Sequence, residues 1–142
     1  MPIEKTTVTR PEFVAEALTW MGTPYAHQGR IKGIGVDCIG LVIGVCHALK
    51  ISTYDITGYT RRPDGSLRAT METQLELIPV GTAQAGDVLL FKFGSVPVHV
   101  GILTDENTLV HAYSPNRKVI SNSLDARWRG LIAGAYHVPG VV

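Results

Sequence analysis

Long apolar runs, a surplus of either charge and any stock of cysteine are missing from this sequence, and each absence removes a class of function. No apolar run approaches the roughly 20 residues that cross a bilayer, so membrane insertion is not expected. Met1 to Arg10 lacks the charged and then apolar pattern of a secretory leader, so a role beyond the cytoplasm would require delivery by something else. Thirteen Lys and Arg stand against 12 Asp and Glu, a formal net charge of +1. That balance gives no field to attract nucleic acid or anionic lipid. Only two cysteines occur, Cys38 and Cys46. On one helix they would lie about 12 Å apart, beyond the roughly 7 Å that a disulfide bridges.

What is present is ordinary globular material. The 142 residues are 45% hydrophobic and 18% charged, which suits one domain over residues 1–142 with a single core. Helical signals come first. Thr9 and Glu12 have the spacing of a capping box, Pro11 stands in the first turn, and Phe13, Val14, Ala17, Leu18 and Met21 recur at helical period, so a helix is expected over 10–21, ended by Gly22. After a glycine-containing loop, a second helix is expected over 37–49, with Cys38, Val42, Val45 and Leu49 on one face. Gly40 and Gly44 within it imply close approach of another element, read here as a sheet lying across the helix. Residues 50–65 read as irregular chain with a turn at Arg62-Pro63-Asp64-Gly65, and Leu67 to Ile78 as a short third helix carrying Leu67, Met71, Leu75 and Ile78 inward.

The second half changes period. Val88 to Phe93, His99 to Leu103, Leu109 to Tyr113, Val119 to Ser121 and Leu131 to Val138 read as a meander of about five short strands. Helices first and strands second define an α+β class, with N-terminal helices packed on a C-terminal antiparallel sheet.

The chemistry-bearing residues follow from this layout. If Asp105, Glu106 and Asn107 form a hairpin loop, Thr104 pairs with Thr108, and His99 and His111 become diagonal neighbours on one face, nominally about 7 to 8 Å apart. A loop shorter by one residue would put them on opposite faces. Cys38 opens a helix, where the N-terminal dipole together with an adjacent imidazolium would lower its thiol pKa and populate the thiolate. A thiol, an imidazole base and a group that orients the base are the parts of nucleophilic acyl transfer. The same residues equally suit a small buried thiol and two satisfied sheet imidazoles. His27 is a candidate for the cleft rim, His47 for an exposed helix position, and His137 for a strand end, while Arg61 and Arg62 read as a solvated loop. Zinc held by Cys38, His99 and His111 ranks low, because no further ligand motif is present. No metal and no cofactor are assigned.

The sequence also resembles the NlpC-type cell-wall endopeptidases, a family with a papain-like core. The matching stretches are Gly22-Thr23-Pro24-Tyr25, Asp37-Cys38-Ile39-Gly40-Leu41-Val42, Ala85-Gly86-Asp87-Val88-Leu89-Leu90-Phe91, His99-Val100-Gly101-Ile102 and Val110-His111-Ala112, in the family's order and spacing. The overall look, including Trp128-Arg129, is similar to the compact version found among bacteriophage tail proteins. The resemblance implies that Cys38 is the nucleophile, His99 the base and His111 the group that orients it. It further implies that Tyr25 lends a hydroxyl near the nucleophile, the Cys38 N–H serves the oxyanion, and Asp37 holds a substrate amine where it does not simply cap the helix. The implied substrate is the peptidoglycan stem peptide, and the implied setting is a phage tail tip with other tail-tip proteins as partners, carried in the virion and acting at the cell wall or periplasm. A tail-tip assembly subunit with an idle site and a thiol acyltransferase on the same core are the alternatives. Ile39 stands where the family usually has serine, which points to altered specificity.

Overall fold

The structure is a computed structural model and describes residues 6–142. The first helix, α1 (Arg10–Leu18), is capped as its sequence dictates: Thr9 Oγ1 accepts from the Glu12 N–H at 3.2 Å, and Glu12 Oε1 accepts from the Thr9 N–H at 3.0 Å. It ends before Met21. Tight turns bonding Thr19 to Glu16 and Trp20 to Ala17 close it, which rotates Trp20 into the core and leaves Leu18 and Met21 exposed. Phe13 and Ala17 are the buried members of its stripe.

A small hairpin follows, β1 (Arg30–Ile31) with β2 (Gly35–Val36), and leads into α2 (Cys38–Ala48), which Asp37 caps. Every residue from Ile39 to Cys46 is buried, so α2 is a central helix apolar all round and not the one-faced helix expected. Its glycines do mark close approaches, but not to the main sheet. A Cβ on Gly44 would strike the buried Trp20 ring, with Cζ2 at 2.6 Å, and one on Gly40 would strike the Gly29 carbonyl and Arg30 Nη1 at 2.6 Å. Cys38 and Cys46 are both free thiols.

Residues 50–65 form no helix or strand. Then α3 (Ser66–Gln74) starts after Gly65, whose φ of 83° favours glycine, and buries Met71. It stops at Leu75, where the chain turns extended and enters β3 (Glu76–Ile78), so the helix expected to reach Ile78 is cut short by strand pairing.

The main sheet has six strands in the order β3-β8-β4-β5-β6-β7, every neighbour antiparallel, with β4 (Val88–Lys92), β5 (Pro97–Asp105), β6 (Thr108–Tyr113), β7 (Lys118–Ser123) and β8 (Ile132–His137). The meander expected holds from β4 to β7. The last strand returns to the open edge of β4, whose residues Val88 to Phe91 are all buried and whose backbone would otherwise lack partners on that side. Before β8 comes the short helix α4 (Ala126–Arg129).

Strand alternation divides the core. Val88, Leu90, Val100, Ile102, Val110 and Ala112 pack with α2, while Leu89, Phe91, Leu103 and Leu109 pack on the other face, against Leu124 and Trp128. By the same alternation His99 and His111 lie on that second face. The sheet that lies across α2 therefore turns towards it the face without the histidines, and Cys38 and His99 line one cleft beside the first residues of β5.

Candidate active site

The ends of α2 and β5, together with the irregular segment 50–65, enclose a cleft of about 490 Å³. Cys38, Tyr25, Asp37 and His27 line one wall. His99, Phe93, Tyr113 and Ser114 line a second, and Ile56, Tyr59 and Thr60 to Gly65 form the third.

Cys38 is partly exposed into the cleft. Burial, reinforced by neighbouring Asp37, pushes its thiol up to about 11, while the backbone N–H groups of Val100, Ile39 and Cys38 itself pull the other way. The lowered pKa expected from the helix dipole is thus reversed, because desolvation of a thiolate outweighs the dipole here. No hydrogen bond joins Cys38 to His99 among the described residues. Both groups line the cleft, with the sulfur beside the Val100 N–H at the start of β5.

The histidine pair forms as the register argument requires, by a different turn. Glu106-Asn107 makes the tight two-residue connection, with Asp105 pairing Thr108 and the ladder shifting between Leu103 and Asp105. The bulge absorbs Thr104, so Ile102 still pairs with Val110 and Leu103 with Leu109, and the histidines keep one face. Gly101 leaves the room this needs: a Cβ there would lie 3.1 Å from that of His111 and closer still to Leu109. His99 Nε2 lies 2.6 Å from His111 Nδ1, and both residues are buried.

Phe91, Phe93, Tyr113 and Trp128 surround the pair, with the Trp128 ring edge-on to His111 at 5.1 Å and the Phe93 ring stacked on His99 at 5.7 Å. This apolar enclosure lowers His99 well below the usual imidazole value, with a smaller contribution from His111, and brings His111 down to about 4. Both rings are therefore neutral at neutral pH. His111 Nε2 meets Asn122 Oδ1 at 2.5 Å, a partner that sequence reasoning missed. Its signal was the strand pattern itself, because Asn122 on β7 lies diagonal to His111, two residues beyond Ile120, the residue that pairs with it.

Asp37 is 2% exposed and bound on every side. Oδ1 accepts from the Gly40 N–H at 2.8 Å and Arg30 Nη1 at 3.1 Å, and Oδ2 accepts from the Gln28 N–H at 2.7 Å and the Tyr59 hydroxyl. Four donors match the roughly four lone pairs of a carboxylate, so a substrate amine would have to displace one of them. Capping and anchoring of the 50–65 wall are what Asp37 does in this structure. Neither Arg30 nor Tyr59 was singled out from sequence, since their partners lie on other segments.

Tyr25 is half-buried beside the thiol, its phenol pushed up to about 12 by burial and by Cys38 and Asp37. His27 lines the cleft and bonds the Tyr59 carbonyl at 3.1 Å. Arg61 and Arg62 are exposed, as a solvated loop requires, but they also line the cleft. Ile39 is 7% exposed and forms the cleft floor beside Cys38. His47 is exposed on α2, and His137 closes β8 against Glu76. Among the described residues no group of three or more His, Cys, Asp or Glu is placed to hold a metal ion.

Comparison with known proteins agrees with this architecture. The model of the NlpC/P60 family matches residues 22–133. Protein P54 of Enterococcus faecium is 32% identical over 106 residues, covering 75% of this chain and 18% of its own length. The chain thus spans less than a fifth of that relative. The solved NlpC/P60 domain of the peptidoglycan hydrolase SagA superposes with a TM-score of 0.68 at 29% identity, over 92% of this chain and 100% of that one. An NlpC/P60 family protein from Bacillus cereus superposes at 0.75, with 18% identity, over 96% of this chain and 42% of that one, a likeness of fold. The matched span holds the helix-start cysteine and the paired histidines together, and the chain belongs to the NlpC/P60 family.

Proposed function

We propose that this protein is a cysteine endopeptidase that hydrolyses peptide bonds in peptidoglycan stem peptides. The observation that carries the reading is the convergence on one cleft of a helix-start thiol and an imidazole whose Nε2 is engaged by a second imidazole. In the proposed reaction Cys38 Sγ attacks the scissile carbonyl as its proton passes to His99. The Cys38 N–H at the helix start stabilises the oxyanion, and His99 then returns the proton to the leaving amine. Water, deprotonated by His99, releases the acyl group and restores the thiol. His111 holds His99, and Tyr25 places a hydroxyl at the rim. The peptidoglycan substrate is supported by family membership and by the likeness to the SagA domain.

We further propose that the chain is a single peptidase domain serving at a phage tail tip, carried in the virion beside other tail-tip proteins and acting at the cell wall or periplasm. Its support is the sequence likeness to compact tail-associated members, including Trp128-Arg129. The intact His99–His111 pair favours chemistry over an idle assembly subunit, and a cleft open to water favours hydrolysis over acyl transfer. Incubation with purified muropeptides, followed by mass spectrometry, tests the enzyme: new termini are expected with the native chain and none with Cys38→Ala. Cleavage that survives Cys38→Ala refutes the nucleophile, and absence of cleavage both alone and in assembled tails refutes the peptidase. Particles carrying Cys38→Ala should assemble normally and infect poorly.

A further inference from the structure

Asn122 belongs to none of the motifs above, yet it ends the only hydrogen-bonded chain that leads from the cleft into the sheet among the described residues. Its amide is oriented by a neighbour: Nδ2 donates to the Ser123 carbonyl at 3.0 Å, a contact that the amide oxygen could not make. Oδ1 therefore faces His111 Nε2 at 2.5 Å, and an amide oxygen only accepts. His111 must carry its proton on Nε2. A neutral imidazole has one N–H, so His111 Nδ1 is a bare lone pair. That lone pair faces His99 Nε2 at 2.6 Å, which must then be the donor. By the same rule His99 Nδ1 is bare, and among the described residues it has no hydrogen-bond partner. Each step is forced by the one before it, beginning at the Ser123 carbonyl.

We propose that Asn122 is a positioning residue which, through His111, fixes the tautomer of His99 so that its Nδ1 lone pair is the site that takes the Cys38 proton. The role rests on the peptidase reading above. Without an acceptor at position 122, His111 takes either tautomer. In the alternative one its Nδ1–H opposes the Nε2–H of His99 and drives His99 to carry its proton on Nδ1, where it cannot act as base. The aromatic enclosure keeps both rings neutral, so the choice between tautomers persists at neutral pH.

Nitrogen-15 spectra of labelled histidines in the full chain test this without any substrate. The native protein should show both His99 and His111 as single Nε2–H tautomers at neutral pH; an Nδ1–H form of His99 there overturns the proposal. Asn122→Leu should give mixed tautomers for both rings and lower kcat on muropeptides by about tenfold, the worth of one hydrogen bond, with KM little changed. Asn122→Asp keeps an acceptor and should restore the single tautomers and most of kcat. Unchanged tautomers in a folded Asn122→Leu, or an equal loss of kcat in Asn122→Asp with tautomers intact, overturn it. If neither the chain alone nor assembled tails cleave muropeptides while the tautomers respond as stated, the peptidase reading fails, and what stands is control of the His99 and His111 tautomers by Asn122 without a catalytic role.

Discussion

Arg30 ties the segment that walls the cleft, through Asp55, Ile56 and Tyr59, to Gly29 and Asp37, which makes its replacement the sharpest test of how that wall is held. Nε bonds Asp55 at 2.9 Å; Nη1 bonds the Gly29 carbonyl at 2.8 Å and Asp37 at 3.1 Å; Nη2 bonds the Ile56 carbonyl at 2.9 Å and the Tyr59 hydroxyl at 3.0 Å. Its side chain is 16% exposed and that of Asp37 is 3% exposed, so the pair is largely desolvated. Removing one partner of a buried pair costs about 3 to 5 kcal/mol when nothing else holds the remaining charge. Asp37 keeps three donors after Arg30→Met, and the freed carbonyls lie near solvent, so about 2 to 3 kcal/mol is expected. Urea unfolding at neutral pH reads that loss. Amide exchange across 55–65 should quicken, and KM should rise because the wall no longer keeps its shape. Arg30→Lys delivers a point charge in place of a planar fork and should recover less than half of the loss. A loss below about 0.5 kcal/mol in Arg30→Met, or unchanged exchange over 55–65, would refute the account of the wall, since that is the range of an ordinary surface substitution.

Two predictions concern pH. With the thiol pushed up to about 11 and His99 held well below 6.5, the pair carries one proton between those limits, so kcat/KM should be flat across neutral pH, with its acid limb below 6.5 and its alkaline limb near 11; an acid limb at or above 6.5 contradicts the enclosure argument. For stability, His111 near 4 when folded and 6.5 when unfolded means that the unfolded chain binds the proton first. Stability is therefore full above 6.5 and declines as pH falls towards about 4, by on the order of 3 kcal/mol from His111, with His99 adding in the same direction. Urea titrations at a series of pH values should show that decline reduced in His111→Gln, and an identical decline in both proteins disproves the assignment. Elsewhere, the Tyr136 hydroxyl is fully buried with no hydrogen-bond partner among the described residues, so Tyr136→Phe should keep or raise stability by up to about 1 kcal/mol in the same assay, and a clear loss would reveal a partner for that group.

What could be read from the sequence was local or periodic. The capping box at Thr9 and Glu12 and the cap at Asp37 depend on residues a turn apart, and both formed. The strands of the second half announced themselves by alternation, and the histidine pair followed from their register even though the turn was shorter than assumed, because a bulge restored the count. Errors arose where tertiary contact overrode a local preference. Leu75 and Ile78 continue a helical period, but the chain turns extended at Leu75 and Glu76 to Ile78 pair with β8, and Met21 fits the stripe of α1 but is displaced by Trp20, which needs the gap at Gly44. The overlooked site residues are polar ones whose partners lie on other segments: Tyr59 reaches back to Asp37, and Asn122 reaches from β7 to His111 on the neighbouring β6. No spacing rule pairs Tyr59 with Asp37, since only the fold brings them together, whereas Asn122 follows from the register of β6 and β7 once that register is known.

The protonation state of the site shows why magnitude decides where local rules compete. A helix N-terminus favours a thiolate by typically 0.3 to 1 kcal/mol at an exposed position, less than one pKa unit, which is about 1.4 kcal/mol. Burial, reinforced by Asp37, pushes the Cys38 thiol up to about 11 against the pull of the N–H groups of Val100, Ile39 and Cys38. The same apolar walls depress His99, so both partners are driven towards their neutral forms together. In the proposed reaction the proton must then leave Cys38 as the sulfur attacks, with the incoming carbonyl supplying the place where the negative charge comes to rest. Such a step makes a strict demand on His99, which must already present a bare nitrogen when substrate arrives. The hydrogen bonds running from Ser123 through Asn122 and His111 meet that demand before any substrate is bound.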